Sequence, residues 1–261
     1  MKKLLLIPFL ILNLVNAKQF SYLDSQSTSF TIKENEAIRI LNIRYDGTGE
    51  DDLSGILKGR YPDQMGPTDV GCCTSHLKAI HHWYTTSDTP CAIIMEDDCD
   101  LSVVKNWPFT WKEFYARMPF DYDLVQLAVI NPGALHVALH KRFVNDFSTA
   151  CYLITRHHAK KLMDLCYRDG KYKLDYKAKP RCNSEHLIYE SGNSFAMPVL
   201  LFSPPHLESM IWNKDHIDTF HVPSRDGLRQ WWTNEAPKLE NWEQLFEYDP
   251  YMGRLPPVEQ K

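Results

Sequence analysis

Residues 90–100 read PCAIIMEDDCD, an apolar run that leads directly into acidic residues. Positions 91–95 are all apolar, and a short continuous apolar run after a proline predicts a β-strand that is buried on both faces. Glu96, Asp97 and Asp98 follow without a break. In open α/β sheets, ligands bind beyond the carboxyl ends of the strands. The stretch therefore predicts both a central strand and the position of a functional site.

The acidic residues themselves suggest a bound cation. Side chains alternate along an extended segment, so Glu96, Asp98 and Asp100 are expected to share one face. Neighbouring carboxylates repel one another unless a cation lies between them. A ligand set made only of oxygen suits Mg²⁺ or Mn²⁺ better than zinc, and such an ion can stabilise a diphosphate leaving group. A solvated acidic turn is the alternative, and the residues alone leave both interpretations open.

Strand-like and helix-like segments alternate around this motif. Strands are predicted over 37–43, 91–95, 124–130, 150–154 and 195–202, and helices over 71–84, 107–118, 156–167 and 184–191. This alternation predicts an α/β fold with a mainly parallel sheet flanked by helices. From Pro204 onward the sequence is rich in aromatic residues and prolines and shows little periodicity.

Composition limits the class of protein. The chain has 261 residues and is 44% hydrophobic, which is enough to bury a sizeable core in one large domain, predicted over 18–261. Its formal net charge is -4, whereas proteins that bind nucleic acid through phosphate neutralisation are usually basic. We therefore expect no nucleic-acid partner.

The first 17 residues read MKKLLLIPFLILNLVNA. Two lysines, an apolar run and a terminal Ala17 are typical of a signal peptide or a short signal anchor. The apolar run is shorter than the roughly 20 residues of a transmembrane helix, so no integral span beyond a signal anchor is expected. This interpretation predicts the lumen of the secretory pathway (ER or Golgi) or export. The alternative is a buried first strand, which would be compatible with a cytoplasmic protein.

The segment 71–98 resembles the central block of glycosyltransferase family 25, which includes lipopolysaccharide-type and procollagen galactosyltransferases. The matching residues are a glycine, a Ser-His pair that opens a helix, an aromatic residue and the acidic triplet: Gly71, Ser75, His76, Trp83, Glu96, Asp97 and Asp98. Segments 121–124 and 148–156 are also similar to the family. The resemblance thus covers about 71–202, or half of the chain.

This resemblance implies a GT-A-type nucleotide-sugar-binding fold and a metal-dependent transfer. A hexose, with galactose expected, would move from a nucleotide-sugar donor, expected to be a UDP-sugar, to a hydroxyl of a glycan or protein acceptor. The resemblance assigns Mn²⁺ or Mg²⁺ to Asp98 together with Glu96, with Asp97 as the alternative to Glu96. It assigns donor binding to Ser75, His76, Glu96 and Asp97.

An inverting transfer also needs a carboxylate that takes the proton from the acceptor hydroxyl. Glu185, in NSEHLIYE (183–190), lies near the position where the family carries an acidic residue, and Asp175 is the second candidate. Glu185 is equally compatible with an ordinary acid at a helix N-terminus, where the helix dipole favours it.

Two other functions stay open at the level of sequence. A metal-dependent phosphoesterase would use the same acidic cluster but needs a second dense set of ligands, which the sequence does not show. A degenerate transferase fold that serves as a carbohydrate-binding module would explain the lack of the Asn-Leu-x-Arg-like segment with which family members usually begin. Residues 12–14 are the nearest counterpart, whereas the intact acidic triplet argues against this alternative.

Overall fold

The computed structural model describes residues 38–43, 67–96, 98–131, 133, 135–174, 183–202 and 213–247. Within these ranges the protein is a mixed α/β fold built on a six-stranded sheet of order β1-β2-β5-β3-β8-β4 and a small β6-β7 hairpin. The strands are β1 (Ile38–Ile43), β2 (Cys91–Glu96), β3 (Leu124–Gln126), β4 (His140–Lys141), β5 (Cys151–Thr155), β6 (Tyr167–Arg168), β7 (Lys171–Tyr172) and β8 (Ser194–Ala196). The helices are α1 (Pro67–Thr86), α2 (Trp111–Ala116), α3 (Arg156–Cys166), α4 (Ser184–Tyr189), α5 (Lys214–His216) and α6 (Val222–Gln230).

The combination of a sheet with packed helices confirms the predicted α/β class. The sheet contains both parallel and antiparallel pairs, so the expectation of a mainly parallel sheet is wrong. The pairs β1-β2 and β3-β8 are parallel, whereas β2-β5, β3-β5 and β4-β8 are antiparallel. Parallel neighbours require a crossover connection, usually a helix. The described part of the chain between β3 and β5 forms the short strand β4 and no helix, and β5 returns antiparallel between β2 and β3.

Both faces of the sheet are covered, as the apolar run of β2 predicts. Ile93 and Met95 belong to a core with α2 and the C-terminal helices. Ala92 and Ile94 belong to a second core with α1, α3 and α4. Because β2 is buried on both sides up to Met95, its carboxyl end places Glu96 at the edge of a closely packed region.

Several element ends differ from the sequence-based prediction. The strands predicted over 124–130 and 195–202 are shorter, and the helix predicted over 107–118 is limited to α2. Thr110 sets the start of α2, because it forms a reciprocal capping box with Glu113. The prediction for 37–43 is confirmed as β1, and those for 91–95 and 150–154 are confirmed within one residue at each end.

The C-terminal region forms helices that the sequence pattern did not reveal. α5 and α6 join through a π-helical stretch (Ile217–His221). A second π-helical stretch (Trp231–Glu235) and a 3-10 turn (Ala236–Lys238) follow. Buried positions recur at helical spacing, but several of them are polar, which hides the hydrophobic period: His221, Ser224, Arg225, Leu228 and Trp232. None of the helices in the described ranges has the length and apolar character needed to span a bilayer. The N-terminal run 1–17 lies outside the described residues.

Candidate functional site

Glu96, the last residue of β2, is held by side chains from two other parts of the chain. Nε2 of His76, on α1, lies 3.0 Å from Glu96 Oε1. The Thr149 hydroxyl, two residues before β5, donates to the same oxygen at 3.1 Å. The sequence-predicted pair His76 and Glu96 is therefore brought into direct contact, and Thr149 is added to it.

The imidazole of His76 is fixed on its other side as well. Its Nδ1 lies 3.1 Å from the hydroxyl oxygen of Tyr152, a fully buried residue of β5. Only 1% of His76 is exposed, since α1 packs this face onto the sheet. A ring bonded at both nitrogens cannot turn away, and it therefore defines where the Glu96 carboxylate lies.

These contacts keep Glu96 ionised. Burial alone raises the pKa of Glu96, but the hydrogen bond and the charge of His76 and the hydrogen bond from Thr149 outweigh burial and lower that pKa below its ordinary value. A stabilised carboxylate at the end of a strand is suited to hold a cation or a cationic partner.

Glu185 is the second carboxylate of the site. It lies in the first turn of α4, a helix that begins after Asn183, whose side chain accepts a hydrogen bond from the His186 amide. The Glu185 carboxylate accepts a hydrogen bond from the backbone amide of Ser148. Burial raises the pKa of Glu185 and the charge of Glu96 adds to this, against the opposing effects of Ser148 and Arg142. A carboxylate with a raised pKa is suited to accept a proton.

Ser148, which binds Glu185 and precedes the Glu96 partner Thr149, adopts an unusual backbone conformation. Its φ is 98°, which is rare for a residue other than glycine. Its carbonyl accepts hydrogen bonds from the Tyr189 hydroxyl and from Nε2 of Gln126, both at 2.9 Å. Arg142 in turn donates from Nε to Oε1 of Gln126 at 2.8 Å. Sequence reasoning missed this support, although a glutamine within the apolar run 124–130 was a visible signal.

Cys72 also reaches the site and was not predicted from the sequence. Its sulfur lies 3.7 Å from the Ser184 hydroxyl oxygen, which is 3.3 Å from the hydroxyl oxygen of Thr149. One ligand atom from each of Cys72, His76 and Glu96 lies within 4.8 Å of the others. The four-residue spacing of Cys72 and His76 on a predicted helix was the available signal, since such residues share a helix face.

The other predicted residues are placed differently. Ser75 donates to the carbonyl of Gly71 in its own helix at 2.8 Å. Asp98 lies in the turn after β2 and is partly buried. Asp100 accepts a hydrogen bond from Arg229 of α6 at 3.1 Å, so its side chain binds a different helix from that bound by Glu96. The sequence predicted that Glu96 and Asp100 lie on one face of an extended strand. They do not, because β2 ends at Glu96.

Two predicted residues, Asp97 and Asp175, lie outside the described residues. No family model matches the chain, and a search of curated proteins finds no significant match. The residues and contacts of the site are therefore the basis of the proposal that follows.

Proposed function

We propose that this chain is a metal-dependent glycosyltransferase with a GT-A-type fold, similar to family 25. It would transfer a hexose, with galactose expected, from a UDP-sugar to a hydroxyl of a glycan or protein acceptor. One observation carries the proposal: His76, Glu96, Thr149 and Glu185, which come from four separate parts of the sequence, converge at the carboxyl end of β2. Three of them lie on motifs that resemble the family, and Glu185 is the base candidate.

The proposed ion is Mn²⁺ or Mg²⁺, held by Glu96 and Asp98. The hydrogen bonds from His76 and Thr149 both end on Oε1 of Glu96, so neither of them uses the second carboxylate oxygen, which we assign to the ion. Asp98 follows two residues later, and carboxylate oxygens suit these ions. When bound, the ion would supply Lewis-acid stabilisation of the diphosphate leaving group.

The proposed chemistry divides the two carboxylates by role. Glu96, with its lowered pKa, stays ionised and fixes the position of the donor end of the site. Glu185, with its raised pKa, takes the proton from the acceptor hydroxyl while that oxygen attacks the anomeric carbon. Pairs of carboxylates whose environments separate their pKa values commonly divide acid-base roles in this way.

A thermal-shift screen of nucleotide sugars with Mn²⁺ tests donor binding. A ligand present at 100 times its Kd adds about 2.7 kcal/mol of stability. We expect a UDP-sugar to raise the melting temperature of the wild-type chain, and to do so less in Asp98→Ala. The release of inorganic phosphate from a phosphoester, without any response to nucleotide sugars, would favour the phosphoesterase instead.

A further inference from the structure

We propose that Cys72, His76 and Glu96 form a binding site for Zn²⁺ or for a divalent transition-metal ion with similar ligand preferences. The three ligand atoms are a sulfur, an imidazole nitrogen and a carboxylate oxygen, and no two of them are further than 4.8 Å apart. This proposal does not rest on glycosyl transfer, because it depends only on the chemistry and placement of these three side chains.

The placement follows from the local fold. Cys72 and His76 are four residues apart on α1, so both side chains leave the same face of that helix. β2 ends at Glu96 directly beside that face, where the carboxylate oxygen already lies 3.0 Å from His76 Nε2. One helix face and one strand end thus supply three ligands without any contribution from a loop.

The distances require only a small adjustment. Zinc bonds of 2.0–2.3 Å in a tetrahedral arrangement place ligand atoms about 3.3–3.6 Å apart. The ligand atoms, which are at most 4.8 Å apart, therefore need to approach one another by about 1 Å. A rotation of the Cys72 side chain can supply this movement. On binding, the thiol releases its proton to solvent, and the hydrogen bond between His76 and Glu96 is replaced by two bonds to the ion.

Each proposed ligand already has a second partner that can orient it. Tyr152 lies 3.1 Å from Nδ1 of His76, Thr149 donates to Glu96, and Ser184 lies 3.7 Å from the Cys72 sulfur. Side chains that bind metals in proteins are commonly held by such outer partners, which fix the imidazole tautomer and the carboxylate orientation. The arrangement is therefore that of a supported site.

The ligand chemistry selects the ion. A thiolate and an imidazole favour zinc and related ions, whereas Mg²⁺ and Mn²⁺ prefer oxygen ligands. Three protein ligands would leave a fourth position for water, as in catalytic rather than structural zinc sites. Glu96 would belong both to this zinc site and to the proposed manganese site. The two sites differ in that only the zinc site includes Cys72.

Cobalt provides the test, because a cobalt-thiolate bond gives an absorption band in the near ultraviolet. The full chain, freed of metal by chelation, is titrated with Co²⁺ and then with Zn²⁺. We expect a thiolate band at one equivalent that zinc displaces. Cys72→Ala should lose the band, whereas the matched variant Cys73→Ala, which removes the adjacent buried thiol, should keep it. Glu96→Gln should weaken cobalt binding at least about tenfold.

X-ray absorption of the zinc-loaded wild-type chain tests, without any variant, whether a sulfur atom binds the zinc ion. We expect one sulfur at about 2.3 Å together with nitrogen or oxygen ligands at about 2.0–2.2 Å. A shell of nitrogen and oxygen alone, or a cobalt-thiolate band that persists in Cys72→Ala, would overturn the proposal. Neither result depends on transfer activity, so failure of this site and failure of the proposed function are distinguishable.

Discussion

Glu96 and Glu185 are bound by adjacent residues of one segment, and their pKa values shift in opposite directions. Thr149 donates to Glu96 through its hydroxyl, and Ser148 donates to Glu185 through its backbone amide. The pKa of Glu96 is lowered, mainly by His76 against the effect of burial, whereas burial and the charge of Glu96 raise the pKa of Glu185. The same segment therefore supports two carboxylates whose pKa values are shifted in opposite directions.

The first prediction is that neutralising these two residues has opposite effects on stability. At pH 7, Glu96→Gln should lower the free energy of unfolding by about 1–3 kcal/mol, because the charged hydrogen bonds from His76 and Thr149 are weakened. Glu185→Gln should raise it, because the amide still accepts from Ser148 and no buried charge remains. Urea unfolding of both variants measures the two effects.

The pH dependence follows from the direction of each shift. The folded-state pKa of Glu96 is lowered, so its stabilisation is present above the unfolded-state pKa and is lost as pH falls through the folded value. The folded-state pKa of Glu185 is raised, so between the unfolded-state and folded-state pKa values the folded chain holds a proton that the unfolded chain has lost. The free energy of unfolding therefore falls as pH rises through the interval between these two pKa values. The increase in unfolding free energy caused by Glu185→Gln should therefore shrink at a pH below both the folded-state and the unfolded-state pKa of Glu185. An increase that stays the same there would contradict a raised pKa for Glu185.

The second prediction concerns the backbone of Ser148. A non-glycine residue at a φ of 98° stores strain of about 1–3 kcal/mol. Ser148→Gly and Ser148→Ala both lose the hydrogen bond that the hydroxyl accepts from the Ala150 amide at 3.0 Å. Only the glycine variant relieves the strain, so it should be more stable than the alanine variant by about 1 kcal/mol in thermal unfolding. An alanine variant that is the more stable of the two would show that the strain is absent.

The third prediction concerns the proposed base. Glu185→Gln should lower kcat by at least about a hundredfold and leave donor affinity nearly unchanged, since general bases contribute about 10²–10⁴-fold. Because activity needs the ionised form, the wild-type rate should fall as pH drops through the raised pKa of Glu185. The variant should lose this acidic limb.

Glu190→Gln is the matched control for that experiment. Glu190 lies at the other end of α4, where its carboxylate is 3.5 Å from Nε2 of His186. Its loss should leave kcat unchanged. If Glu185→Gln stays within about threefold of wild type, the role of base passes to another carboxylate such as Asp175.

The fourth prediction concerns the proposed manganese site. Asp98→Ala should reduce transfer by more than about a hundredfold, because even the outer partners of metal ligands cost 10–100-fold when they are lost. The control is Asp88→Ala, which changes a fully exposed carboxylate before β2. Equal rates for Asp98→Ala and wild type in saturating Mn²⁺ would remove Asp98 from the site, provided that both melt at similar temperatures.

Sequence reasoning found the parts of this protein that local chemistry determines. The apolar run before Glu96 predicted a buried strand, which is confirmed. The family resemblance singled out His76, which does contact Glu96, but His76 lies in the middle of α1 and not at the start of a helix. Strand direction was not predictable, because the alternation of helices and strands does not say that β5 returns antiparallel between β2 and β3. The support from Ser148 was equally hidden, since it depends on long-range hydrogen bonds and on one unusual φ angle.

The most direct test of the central claim is a transfer assay with the purified full chain. The chain is incubated with a panel of nucleotide sugars in Mn²⁺, with and without chelator, and released nucleotide is measured together with the sugar-bearing product. We predict that UDP-galactose or another UDP-hexose is consumed only when the metal is present, and that Glu185→Gln and Asp98→Ala abolish this consumption. Release that is equal in wild type and in both variants, or the absence of release from every nucleotide sugar in the panel, would contradict the assignment as a glycosyltransferase.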